Sequence, residues 1–202
     1  MDARRLADAF EFAFNAHDGV TRKQSFMPYI THPMEAAFIV SSVPGISDEA
    51  VIAAILHDVV EDTEYTADDI EKHFGKKIRD LVASESEDKM VHLPKEESWK
   101  LRKEAFLNHL KESSYEAKVI CLADKLSNLK QTVVDLALRG PEIWNKFNMK
   151  DVSLQEWYYK SVLKALNDLN ELPAYKELEE CIKYVFKDRN LIKIPQLNEH
   201  IN

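Results

Sequence analysis

The stretch AILHDVVEDT, Ala54 to Thr63, sets an imidazole and three carboxylates directly behind an apolar run that begins at Ala50. Residues four apart share one face of a helix. His57 would therefore stand over Glu61, and Asp58 over Asp62, beside the apolar face of Ile52, Ile55, Leu56 and Val59. Carboxylates driven toward a core want a cation, because burying them uncompensated is very costly. The plain alternative is an amphipathic helix whose solvated face carries these four residues. Two further places bear on the choice. PYITHP puts His32 at the start of a helix, and CLADKLSNL sets Asp124 in an otherwise apolar helical stretch. Taken singly, His32 reads as a cap or surface residue and Asp124 as an ion-pair partner of Lys125. Taken together, His32, His57, Asp58 and Asp124 bring two imidazoles and two carboxylates from three separate helices. That mixed nitrogen and oxygen set suits Mn²⁺, Fe²⁺ or Zn²⁺ better than the all-oxygen cages favoured by Ca²⁺. Four protein ligands would leave room for a water, which could become a nucleophile.

The elements that must hold these residues read as helices. Four glycines in 202 residues argue against a turn-rich β-fold. Leu6, Ala9, Phe10, Ala13 and Phe14 recur at helical spacing and predict a helix over 3–17. Pro33 suits the first position of a helix over 33–42, which stops before Pro44-Gly45. Ser47 is a good N-cap, with Asp48 and Glu49 in the first turn of a helix over 48–62. Thr66 and Asp69 predict a capping box for a short helix ended by Gly75, and 76–86 and 96–111 follow as helices. Ser113-x-x-Glu116 predicts the start of a long helix closed by Gly140-Pro141, and Ser153-x-x-Glu156 the start of another over 154–171. Pro173 opens a last amphipathic helix to residue 187. The best strand candidate, KVICL at 118–122, is made helical by its cap and continuation. The expected fold is all-α: a single-domain multi-helix bundle over 1–187, with a poorly ordered polar tail over 188–202.

Composition narrows the partners. Hydrophobic residues at 45% and charged residues at 31% mark a globular chain rather than a disordered or membrane one. A net charge of −8 argues against general nucleic-acid binding, which needs a broad basic surface. It leaves room for a small phosphorylated substrate, which needs only a local cluster of cations. No apolar run approaches the ~20 residues of a membrane span. MDARRLADAF lacks the apolar segment of a signal peptide, and Cys121 and Cys181 read as reduced core residues, so the expected compartment is the cytoplasm. Oligomeric state has no signature in the sequence. Along 82–99 the acids Glu85, Glu87 and Asp88 read as a solvated loop, with Lys89 or Lys95 as candidates for binding a diphosphate. His17, His73, His92 and His109 have no partner spacing that suggests metal binding.

The H…HD…D set is similar to that of the HD-domain metal-dependent phosphohydrolases. RK at 22–23, PYITHP at 28–33, LHDVVEDT at 56–63, FGKKIRDLV at 74–82, EDK at 87–89 and LADKLSNL at 122–129 sharpen the likeness. Together they resemble the hydrolase domain of the RelA/SpoT-type alarmone enzymes in its stand-alone form. QEWYYKSVLKAL at 155–166 resembles the aromatic C-terminal helix of that group. The resemblance implies a helical bundle around one Mn²⁺, other divalent transition metals being possible. It also implies hydrolysis of the 3′-pyrophosphate of guanosine tetra- or pentaphosphate to GDP or GTP and pyrophosphate. Carried over by residue, His32, His57, Asp58 and Asp124 are the metal ligands, and Glu61 and Asp62 orient and deprotonate the attacking water. Arg22 and Lys23 would meet phosphates or the base, Asn128 the ribose, and Tyr158 or Tyr159 the nucleotide pocket, with core packing the alternative for that aromatic cluster. No synthetase or regulatory domain is expected. Gln24-Ser25-Phe26-Met27 departs from the family's short glycine-containing turn where substrate is expected to border. Hydrolysis of another nucleotide therefore stays open, as does a non-catalytic nucleotide-binding regulator, although no ligand or acid is missing.

Overall fold

The computed structural model describes residues 2–23, 25–86, 90 and 94–187, and for 95–97 the backbone alone. Among these residues the fold is all-α, as expected. The helices are α1 (Ala3–Ala16), α2 (Thr31–Ser41), α3 (Asp48–Leu56), α4 (Val59–Asp62), α5 (Ala67–Phe74), α6 (Lys76–Glu85), α7 (Lys95–Glu112), α8 (Tyr115–Arg139), α9 (Val152–Ala165) and α10 (Pro173–Val185). An isolated antiparallel bridge between Thr21 and Pro28 closes the loop before α2. Every residue from Ala50 to Leu56 on α3 is buried. A helix apolar on all sides has to lie inside, and α3 does, against α1, α2, α6 and α8. The longest helix, α8, runs beside α2, α3, α6 and α10 and buries Leu122, Leu126 and Leu129. Each such side chain contributes about 1.5–3 kcal/mol relative to exposure. The site residues of α2, α3 and α8 thus hang on the best-packed part of the molecule.

Several boundaries follow the sequence. The Thr66 hydroxyl accepts from Asp69 N–H, and the Asp69 carboxylate accepts from Thr66 N–H at 2.8 Å, completing the capping box. Gly75 ends α5 and starts α6 at φ +91°, a conformation that disfavours any side chain. Others move. α2 begins at Thr31, so Pro33 is its third residue; first-turn N–H groups lack helical partners anyway, and the ring costs nothing there. The cap of α8 is Ser114, not Ser113, which instead ends α7 and donates from its hydroxyl to His109 O at 3.0 Å. The cap of α9 is Asp151, which accepts from Ser153 N–H at 2.8 Å. α9 stops at Ala165 rather than 171, and a 3-10 turn, Asn167–Leu169, leads on to α10. Gly140 closes α8, yet the chain winds on as a 3-10 segment, Gly140–Lys146, whose Lys146 pairs with the buried Asp135 of α8.

The largest departure is at the site itself. The single helix predicted over 48–62 is broken at His57-Asp58 into α3 and α4. His57 Nδ1 donates to Ala54 O at 2.7 Å, taking the acceptor that a continuous helix would offer to the Asp58 N–H. The expected tail, 188–202, lies outside the described residues, as do Gln24, Glu87, Asp88, Lys89, His92 and the side chain of Lys95.

Candidate active site

Three helices converge on one point. His32 comes from the first turn of α2, His57 from the end of α3, and Asp124 from the middle of α8; their ligand atoms lie within 4.8 Å of one another and all three residues are buried. The two Nε2 atoms are 3.2 Å apart. Asp124 Oδ1 lies 3.1 Å from His32 Nε2 and 3.7 Å from His57 Nε2. Asp58, at the break between α3 and α4, adds Oδ2 at 3.4 Å and 3.0 Å from the same two nitrogens. The structure therefore brings together all four residues read as ligands.

The outer hydrogen bonds fix which ring atoms face this point. Ser127 donates to Glu35 Oε2 at 2.8 Å, so toward His32 Nδ1, also at 2.8 Å, its oxygen accepts. His32 Nδ1 then carries the hydrogen and Nε2 turns its lone pair inward. His57 Nδ1 spends its hydrogen on Ala54 O, again leaving Nε2 to the centre. Burial opposes charge on His57, yet the Asp58 and Asp124 carboxylates outweigh it and lift its proton affinity well above the ordinary imidazole range. Burial likewise opposes charge on the two acids. The histidines nevertheless hold Asp58, and Lys125 holds Asp124, well below the usual carboxylate range. Two ring nitrogens and two carboxylate oxygens thus crowd a space that demands positive charge. A proton on His57 Nε2 or a divalent cation supplies it, and the two compete. The donor set fits a first-row divalent metal.

A cleft of about 410 Å³ opens above the centre. Glu61 and Asp62 of α4 line it, the first half-buried and the second exposed at its edge. Burial, then the neighbouring Asp58 charge, pushes Asp62 upward in pKa. The polar face of α8 forms its floor: Asp124, Asn128, Gln131 and Thr132 all line it at helical spacing. Arg22 and Lys23 line it too, and Arg22 Nη2 donates to Asn128 Oδ1 at 3.1 Å while Asn128 Nδ2 donates to Asp124 Oδ1 at 2.6 Å. Asn128 thus ties Arg22 to the metal centre, using one group at each end of its amide. Ser25, Phe26 and Met27 are not part of the lining, and Phe26 is fully exposed. On the opposite wall α9 presents Tyr158 and Tyr159. Tyr158 is buried, edge-on to Trp99 at 6.0 Å with Lys103 Nζ 4.6 Å from its ring centre, so it both packs and lines. Burial pushes the Tyr159 phenol up to about 12. Arg102, Lys103, Lys125 and Lys146 complete a cationic wall on an acidic protein.

Tyr29, Ser127 and Glu85 are among the residues here that escape the sequence reading. Tyr29, inside PYITHP, donates to Asp58 Oδ2 at 2.6 Å and lies 3.1 Å from Asp62 Oδ2. Its ring rests on the buried His17, with ring centres 4.6 Å apart. Ser127 orients His32 as described. Glu85, expected in a solvated loop, is instead the last residue of α6 and is 8% exposed in the cleft wall. Neither of its carboxylate oxygens has a hydrogen-bond partner among the described residues, and burial pushes it up to about 8. The signal was present: Ile78, Leu81, Val82 and Glu85 follow helical spacing, so Glu85 continues the buried face of α6.

Comparison with known proteins agrees with this geometry. The HD domain family matches residues 9–151. The human guanosine-3′,5′-bis(diphosphate) 3′-pyrophosphohydrolase MESH1 is 39% identical over 192 residues, covering 94% of this chain and 97% of that protein. The bifunctional (p)ppGpp synthase/hydrolase SpoT of Escherichia coli is 38% identical over 130 residues, 63% of this chain and 18% of SpoT. A solved structure described as a metazoan ortholog of SpoT that hydrolyses ppGpp superposes with a TM-score of 0.71 at 30% identity, covering 89% of this chain and 94% of that one. With the buried histidine and aspartate centre on α2, α3 and α8 and a family match over most of its length, this chain belongs to the HD-domain family.

Proposed function

We propose that this chain is a cytoplasmic, Mn²⁺-dependent guanosine-3′,5′-bis(diphosphate) 3′-pyrophosphohydrolase, built as one domain over residues 1–187 and acting on a free nucleotide rather than a nucleic acid. The observation that carries it is the junction, in one cleft, of the four-ligand centre, the Glu61-Asp62 pair and a wall of lysines and arginines. A 39% identity over nearly the full length of an enzyme of that name supports it. No helix among the described residues is long and apolar enough to cross a membrane.

His32, His57, Asp58 and Asp124 would hold the cation, which when bound supplies a Lewis acid for phosphoryl oxygens and lowers the pKa of water. Glu61 and Asp62 line the same cleft as these four residues and would take the proton of the attacking water. Burial and the neighbouring Asp58 charge raise the pKa of Asp62, which favours its accepting a proton. Hydroxide would add to the phosphorus attached to the ribose 3′ oxygen; that P–O bond breaks and its electron pair goes to the 3′ oxygen. The proton taken up by the Glu61-Asp62 pair returns to that oxygen to give the ribose 3′-hydroxyl. Arg22, Lys23, Lys103 and Lys125 offset the phosphate charge, and Asn128 and the tyrosines border the nucleoside. The test is a substrate panel with Mn²⁺-loaded protein: guanosine tetraphosphate, other 3′-phosphorylated nucleotides, deoxynucleoside triphosphates and cyclic nucleotides. Release of pyrophosphate and GDP from the first is expected. Turnover of another member, with the first left intact, overturns the substrate assignment.

A further inference from the structure

The geometry points to Tyr29 as a positioning residue that sets Asp62 relative to the metal ligand Asp58, so that one oxygen of Asp62 is held and the other is left to meet water. It rests on the proposed role of Asp62 as a proton acceptor, and it deepens that role. The phenol oxygen stands between two carboxylates from either side of a single turn, 2.6 Å from Asp58 Oδ2 and 3.1 Å from Asp62 Oδ2. A phenol has one hydrogen to donate and two lone pairs to offer. The shorter contact places that hydrogen chiefly on Asp58, and Asp62 Oδ2 is the second, weaker acceptor of the same hydroxyl. The phenol thus holds one oxygen of Asp62 in line with the Asp58 carboxylate and leaves the other open to the cleft.

The phenol is built to stay in place. Tyr29 N–H donates to Val20 O at 2.9 Å, which anchors its backbone across the loop. Its ring lies against His17, which is 4% exposed and closes the far side of the phenol. Tyr29 sits three residues before His32, so the same short segment that starts α2 delivers both a ligand and the clamp on the acid. The break between α3 and α4 is what makes the clamp possible. It lets Asp58 turn inward to the centre while Asp62, one turn on, remains within reach of the same oxygen.

The experiment is a double-mutant cycle of Tyr29→Phe and Asp62→Asn in the full chain loaded with Mn²⁺. Tyr29→Phe is expected to lower kcat about ten- to a hundredfold, the worth of one hydrogen bond to a charged group. KM and bound metal should hold within about twofold, because neither the ligands nor the cationic wall changes. In the Asp62→Asn background the same substitution should cost less than about twofold, since its route of action is gone. Equal losses in both backgrounds, an unchanged kcat, or loss of metal in step with kcat overturns the inference. Where Asp62→Asn has no measurable turnover, the ¹³C resonance of the Asp62 carboxyl in Mg²⁺-loaded protein decides. Its titration should move on Tyr29→Phe, and an unmoved titration overturns the inference. That resonance is read without substrate, so a protein that leaves guanosine tetraphosphate intact refutes the proposed activity while Tyr29 is still judged.

Discussion

The metal centre and the cleft wall facing it are built on opposite principles. Each group at the centre has its second contact inside the protein: His32 on Ser127, His57 on Ala54 O, Asp58 on Tyr29, Asp124 on Lys125 and Asn128. These groups sit on helices whose other faces are core. Apart from Lys125, locked to Asp124, and Lys146, locked to Asp135, the wall is made of long cations from several elements, such as Lys103 over the Tyr158 ring. The first arrangement holds each atom by a second contact; the second supplies charge over a volume. Chemistry that needs geometry is placed on the core, and recognition of a diffuse polyphosphate is left to adaptable side chains.

Substitutions at the centre should therefore fail sharply and those in the wall gradually. Asp58→Ala should abolish bound metal and turnover together, read by metal analysis and a pyrophosphate-release assay; metal retained at full stoichiometry would break the distinction. Glu61→Gln should keep the metal and lose about 10²–10⁴ in kcat, the usual worth of a proton acceptor. Metal loss in that variant would make Glu61 a ligand. Ser127→Ala frees the His32 ring to rotate and should weaken metal binding about 10–100-fold, measurable by calorimetry.

Glu85 sharpens the comparison from the side of stability. Its pKa rises from the ordinary 4.5 to about 8 in the fold. Between those values the unfolded chain has lost its proton while the folded chain keeps it, so Glu85 makes stability fall as pH rises through that window. Glu85→Gln should flatten this slope and raise stability at pH 8 by about 1–3 kcal/mol, followed by denaturant unfolding at several pH values. A slope that persists in the variant would assign it elsewhere. The smallest effect belongs to the wall. Lys103→Ala should raise KM about two- to fivefold and leave kcat within about twofold, with the difference shrinking in salt. A collapse of kcat would place Lys103 with the centre instead.

The same contrast explains what could be read from the chain. His32, His57, Asp58 and Asp124 were legible because rare polar residues interrupt apolar helical runs at fixed places, and a buried metal site requires just such interruptions. The helices were legible from spacing and caps, apart from shifts such as Ser114 replacing Ser113. The break at His57 was not, because it arises from a side chain taking its own helix's acceptor, and periodicity carries no trace of that. Tyr29 escaped because its role depends on two carboxylates that approach only after folding. Gln131 and Thr132 continue the helical face of Asp124 and Asn128 and could have been read from α8 alone. The wall cations could not, since any lysine or arginine on any nearby element would serve.

The central claim is that four side chains hold a divalent cation whose presence the hydrolysis requires. The most direct measurement adds Mn²⁺ stepwise to metal-free protein while following pyrophosphate release from guanosine tetraphosphate. Activity should start from zero and saturate at one ion per chain, and the Asp58→Ala protein should show no response. Full activity in the metal-free protein, or an identical titration in the Asp58→Ala protein, would contradict the account.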